Sequence, residues 1–254
     1  MNIEDQGIPV AKIYFEGDKK KNRIISVERN PENIDHYFTE ISLTKPKEHI
    51  QDIPNKKTER QILYVTGASG SGKSYYTMKY CLEYKKMFPK NSIYLFSSID
   101  EDSSIDKVKG MKRVRLSNDL LTADLSIKDF EDSMVIFDDT DVIRNKAMRL
   151  KVNSILNMIL ETGRHTNTSC ILTYHMATNG LETKRILNEA HSVTFFPHSL
   201  GGRSLKYLLE NYFGLDKDQI KKMKKLPSRW VTIKKTFPMV CLSEKDAFVL
   251  NVDD

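Results

Sequence analysis

Gly67-Ala68-Ser69-Gly70-Ser71-Gly72-Lys73-Ser74 satisfies the pattern G-x-x-x-x-G-K-[ST] at every fixed position. The residues on either side supply the context that the pattern needs. Gln61-Ile62-Leu63-Tyr64-Val65-Thr66 is apolar and partly β-branched, as a buried strand is, and Tyr75 to Met87 contains no Gly or Pro and reads as a helix. Glycines between a strand and a helix let successive backbone N–H groups turn inward around a phosphate, and the helix N-terminus adds partial positive charge. The stretch is therefore expected to bind a nucleotide through Gly67, Ala68, Ser69, Gly70, Ser71, Gly72, Lys73, Ser74 and Tyr75. Lys73 would reach the β- and γ-phosphates and Ser74 would ligate Mg²⁺, so ATP and Mg²⁺ are the expected cofactors.

A second stretch, Met134-Val135-Ile136-Phe137-Asp138-Asp139, has four apolar residues ending in two carboxylates, the look of a Walker B strand to accompany the Walker A loop. A buried strand delivers an acid to its C-terminal edge, where ligands sit in open α/β sheets, and Asp138 there can hold the water shell of Mg²⁺. Asp139 beside it can orient and polarise the water that attacks the γ-phosphate.

From Asn145 to Thr162, Met148, Val152, Ile155, Leu156 and Ile159 recur at helical spacing and predict an amphipathic helix, with Gly163 as its C-cap. Arg164-His165 follow in a polar turn. Arg164 reads either as a finger that reaches a neighbouring subunit's γ-phosphate or as a cation complementing the helix dipole. His175 ends the apolar run Cys170-Ile171-Leu172-Thr173-Tyr174, where it would sense the γ-phosphate or the attacking water, or simply cap a strand. A helix near Glu182 to Ala190 and a strand at Ser192 to Phe196 continue the alternation, which with the P-loop predicts an α/β fold of the P-loop NTPase type with a mostly parallel central sheet flanked by helices.

The segments outside this alternation differ in character. Ala11 to Phe15 and Arg23 to Val27 flank the charged turn Gly17-Asp18-Lys19-Lys20-Lys21 and predict a β-hairpin, so residues 1–58 are expected to be an N-terminal β extension and residues 59–254 the ATPase domain. Net charge is only +6, yet between Lys217 and Lys235 eight basic residues face one acid, Asp218. Such a segment suits a polyanionic partner or a solvated helix face. With the Gly201-Gly202-Arg203 turn it offers Arg203, Lys221, Lys222, Lys224 and Lys225 as candidates for tracking a DNA backbone without reading its sequence. Hydrophobic content of 39% with 29% charged residues is that of a globular protein; no run is long enough to span a bilayer, and the N-terminus lacks a secretory pattern, so a cytosol-like compartment is expected. Cys81, Cys170 and Cys241 form no C-x-x-C pair and read as buried reduced thiols rather than zinc ligands.

The order of Gly67 to Ser74, Ile136 to Asp139, Gly163-Arg164-His165 and the strand ending at His175 resembles the poxvirus-type DNA-packaging ATPase family of large (nucleocytoplasmic) DNA viruses, in the FtsK/HerA superfamily. The resemblance covers roughly residues 60 to 250. It implies a RecA/FtsK-like fold and a homo-oligomeric ring motor that hydrolyses ATP to drive double-stranded DNA into a capsid, with capsid proteins as further partners and a place in the viral factory of the host cytoplasm or in the virion. Two departures stand out: His175 occupies a position where the superfamily usually has glutamine, and Asp139 replaces the commoner glutamate. The other classes open to such a sequence are a nucleoside or nucleotide kinase of the P-loop class, although no arginine-rich lid is evident, and a nucleotide-gated assembly protein.

Overall fold

The structure of the protein, a computed structural model, describes residues 1–3, 6–28, 37–56 and 60–250. Packing divides the chain into two compact units, one of Met1–Lys57 with His191–Asp254 and one of Thr58–Ala190. The expected division at residue 58 itself lies outside the described residues.

In the first unit, β1 (Ile8–Phe15) and β2 (Arg23–Val27) form the expected antiparallel hairpin, with Ile13 opposite Arg23. β3 (Glu40–Ser42) and β4 (Glu48–Asp52) follow, and β4 pairs with the other edge of β1.

The second unit begins with β5 (Ile62–Thr66) and α1 (Lys73–Met87), then β6 (Ser92–Ser97), β7 (Met111–Val114), the short α2 (Asn118–Thr122), β8 (Ser133–Asp138), α3 (Lys146–Thr162), β9 (Ser169–Tyr174) and α4 (Gly180–Glu189). Its strands are all parallel, in the order β7-β6-β8-β9-β5. Every residue of β5, β8 and β9 is buried. That is why these strands read as continuous apolar runs and not as alternating ones: a parallel sheet is covered on both faces. α3 buries Met148, Val152, Ile155, Leu156 and Ile159, the stripe its spacing predicts, and Asn145 caps it by accepting a hydrogen bond from the Met148 N–H at 3.0 Å.

The chain then re-enters the first unit with β10 (Ser192–Phe195), α5 (Gly202–Phe213), α6 (Lys217–Lys225), β11 (Val231–Lys234), β12 (Met239–Ser243) and β13 (Asp246–Leu250). These strands are antiparallel in the order β10-β11-β12-β13-β3. Residues 191–254 were expected to belong with the nucleotide core, but they are built together with the N-terminal segment. The physical reason is a shared core: Val10, Ala11, Ile25 and Ile50 pack with Val240, Leu242 and Ala247, and β3 needs β13 as its partner. Such pairing over about two hundred residues leaves no trace in local periodicity.

Candidate nucleotide site

β5 ends at Thr66, and the chain turns through the glycine-rich loop into α1. Gly70 and Gly72 hold φ of 74° and 114°, in the region glycine adopts without strain, and Gly72 forms the N-cap of α1. No side chain caps this helix, and its first turn carries no acid, so the positive end of its dipole is not neutralised from within. Gly67 donates to the Tyr174 carbonyl at 3.1 Å, which ties the start of the loop to the end of β9. Lys73 is buried at 6% exposure, and its ammonium folds back to donate to the Gly67 carbonyl at 3.0 Å. Tyr75, by contrast, is exposed, with the Lys79 ammonium 5.6 Å from its ring centroid.

The two acids after Phe137 have separate environments. Asp138 is 2% exposed and accepts hydrogen bonds from Thr173 Oγ1 at 2.7 Å and Ser97 Oγ at 3.1 Å, hydroxyls supplied by the strands on either side. Burial pushes its carboxyl above the usual carboxylate range, the hydroxyls hold it down, and the neighbouring Asp139 charge raises it further. Asp139 sits in the left-handed region, φ 47°, which aspartate tolerates better than most residues. Its backbone N–H is held by Thr173, to the carbonyl at 3.0 Å and to Oγ1 at 3.1 Å. The carboxylate therefore turns toward Lys73: Asp139 Oδ1 lies 3.5 Å from Lys73 Nζ and 3.5 Å from His175 Nδ1.

Three of the predicted residues, Lys73, Asp139 and His175, thus come together, and a residue without a sequence signal joins them. Asp141 accepts the His175 backbone N–H through Oδ2 at 3.2 Å and brings Oδ1 to 3.7 Å from the imidazole Nδ1. Burial raises the Asp141 carboxyl; the His175 backbone hydrogen bond and the imidazole oppose that rise. Ser97, Thr173 and Asp141 were not predicted. The one available signal was positional, since parallel strands bring residues at their C-terminal ends to one edge. Buried side-chain atoms without a hydrogen-bond partner gather at the same edge: Thr66 Oγ1, Thr140 Oγ1, Asp141 Oδ1 and His175 Nδ1. Functional sites are where such groups often concentrate.

Arg164 is not brought to this edge. It is exposed, in the turn between α3 and β9, and β9 starts level with the starts of β8 and β5. The length of β9, roughly 20 Å at about 3.3 Å per residue, separates it from the P-loop of its own chain. In the first unit, α6 turns Ile220 and Met223 inward, with Lys221, Lys222 and Lys225 exposed. Lys222 is engaged by Glu40 at 2.8 Å and lies 4.1 Å from the Phe248 ring centroid. Lys224 reaches the Gly202 carbonyl at 3.5 Å, beside the exposed Arg203. The cysteines are buried and unbridged, with the Cys81 and Cys170 thiols pushed up to about 12 by burial. Among the described residues no helix is long and apolar enough to cross a membrane.

A P-loop between a strand and a helix of a parallel sheet, with paired acids ending a central strand, defines the P-loop NTPase fold. The chain is 37% identical over 253 residues to the uncharacterized protein V3 of Sputnik virophage, covering 98% of both, and it belongs to the family of that protein. No family model matches it. Similar solved structures include the genome packaging NTPase B204 from Sulfolobus turreted icosahedral virus 2 in complex with ATP-gammaS, at 16% identity and TM-score 0.49 over 73% of this chain and 98% of that one. They also include the pCW3 conjugation coupling protein TcpA, at 10% identity and TM-score 0.43 over 98% and 78%. A third is the cytoplasmic domain of the Thermomonospora curvata type VII secretion ATPase EccC, at 12% identity and TM-score 0.49 over 85% and 29%. Superpositions this loose carry no functional weight; the fold rests on the strand order and the loop.

Proposed function

We propose that this protein is an ATPase that converts hydrolysis into movement of double-stranded DNA during viral genome packaging. The observation that carries the reading is the row Lys73, Asp139, His175, each 3.5 Å from the next, at the mouth of a P-loop whose helix N-terminus has no internal cap. A triphosphate offers Lys73 a better partner than the Gly67 carbonyl and frees the Asp139 carboxylate to take a proton from water. Ser74 and Asp138 would hold Mg²⁺, Asp138 through water because its own oxygens already accept hydroxyls; the ion supplies charge neutralisation of the phosphates. His175, anchored through its backbone by Asp141, aims its ring at the Asp139 oxygen and serves as the sensor.

The polymer is the finer part of the reading, and two things support it. The motif set resembles packaging ATPases of large DNA viruses, and Arg203, Lys221, Lys224 and Lys225 offer a basic surface suited to phosphate contacts without base readout. Lys222 contributes less, being held by Glu40. A homo-oligomeric ring, with Arg164 acting on the neighbour's nucleotide, and capsid proteins as docking partners belong to the same proposal. So does a place in the viral factory or the virion. The test is steady-state ATP hydrolysis with and without linear double-stranded DNA, with Asp139→Asn as the blank. DNA stimulation that vanishes in the variant is expected; hydrolysis indifferent to DNA removes the translocase reading and leaves an ATPase.

A further inference from the structure

We propose that Asp139, Asp141 and His175 form a binding site for a divalent transition-metal ion of the zinc class, one that fills without nucleotide. Three atoms, Asp139 Oδ1, Asp141 Oδ1 and His175 Nδ1, all lie within 4.8 Å of one another. His175 Nδ1 stands 3.5 Å and 3.7 Å from the two carboxylate oxygens. These separations are too long for good N–H···O hydrogen bonds, which cluster near ~2.9 Å. They do match a shared cation. Two ligand atoms each about 2.1 Å from a tetrahedral zinc lie roughly 3.4 Å apart.

A second observation points to a ligand. The Asp141 side chain is 8% exposed, and its Oδ1, like His175 Nδ1, is buried with no hydrogen-bond partner. Asp141 Oδ2 is already used by the His175 backbone N–H, so Oδ1 is aimed at the imidazole by its own anchor. A buried carboxylate oxygen facing a buried imidazole nitrogen at 3.7 Å is costly unless a proton or a cation joins them. Asp139 contributes a second negative charge to the same point, and Asp138 lies next in the chain, whereas Lys73, 3.5 Å from Asp139 Oδ1, is the cation that the structure sets against them. A neutral imidazole with two carboxylates is a borderline donor set that suits zinc and its neighbours better than calcium or magnesium.

The site shares Asp139 and His175 with the ATPase reading but does not depend on nucleotide, so it is measured apart from hydrolysis. Untagged full-length protein, stripped with a chelator and free of nucleotide, is titrated with Co²⁺ while the visible d–d absorption is followed, and Zn²⁺ is then added as competitor. Uptake of one equivalent, displaced by Zn²⁺, is expected. Asp141→Asn, which can still accept the His175 backbone N–H, should weaken uptake by at least about tenfold, and Ser74→Ala should leave it unchanged. Circular dichroism and the denaturant unfolding midpoint check the fold of each variant; should Asp141→Asn not fold, His175→Gln reads the same loss. No Co²⁺ uptake by the nucleotide-free protein, or uptake indifferent to Asp141→Asn and His175→Gln, overturns the site whatever the ATPase assay shows.

Discussion

The two edges of the parallel sheet of residues 58–190 are both rich in polar side chains, and they use them in opposite ways. At the N-terminal edge the polar groups close on each other. Arg60 donates to the carbonyls of Ile159 and Leu160 at 2.6 and 2.9 Å, so it caps the end of α3, and Thr168 Oγ1 donates to the Phe130 carbonyl at 2.9 Å. Asp132, left-handed like Asp139, receives the Asn167 amide at 2.9 Å and sends its own N–H to the Thr166 carbonyl. At the C-terminal edge the same kinds of groups stop short: Lys73, Asp139, His175 and Asp141 stand 3.5 to 3.7 Å apart, with buried oxygens and a ring nitrogen unmatched. One edge is closed by hydrogen bonds among its own polar groups, and the other leaves several of them unpaired, as the proposed ligand site requires.

The sharpest way to break that contrast is Lys73→Ala, which should reduce ATP binding and hydrolysis to background while leaving the unfolding midpoint close to that of the parent. A large loss of stability would mean that Lys73 is structural after all. Asp139→Asn should lower turnover by roughly 10² to 10⁴ with ATP binding retained; unchanged turnover in a filter-binding-competent variant removes Asp139 as the base. Changes at the other edge should show the reverse pattern. Arg60→Ala should cost about 2 kcal/mol in denaturant unfolding, since a charged donor to two helix-end carbonyls is lost, with ATP affinity little altered. Gly163→Ala should behave alike, because its Cβ would stand 2.5 Å from the Ile159 carbonyl oxygen and 2.9 Å from Arg60 Nη1. Arg164 sharpens the comparison: if it acts on a neighbour, Arg164→Ala lowers turnover only in assembled protein, and mixing with Lys73→Ala subunits restores some of it. Failure of such mixed complementation returns Arg164 to the helix end. The smallest effect is expected on the basic helix, where contact with ~4 phosphates gives a slope of log affinity against log salt near −3.6, and Lys221→Ala shortens it by about 0.9.

The loop, its strand and its helix were legible in the chain alone, because Gly70 and Gly72 answer to local backbone geometry and the motif spans only eight residues. So were the buried strands ending at Asp138 and Tyr174 and the stripe of α3, since burial on both faces or on one writes itself into neighbouring residues. What only the tertiary structure decided is which strand ends meet. Asp141 becomes part of the site because β8 lies beside β9 and brings it under the His175 backbone, and Arg164 is removed from its own P-loop because the strands run parallel. β13 likewise finds β3 across about two hundred residues, and the basic Lys222 is turned from a candidate phosphate contact into a partner of Glu40. Periodicity and spacing act over a few residues along the chain, whereas these meetings are set by strand order and shared burial between segments that no local pattern connects.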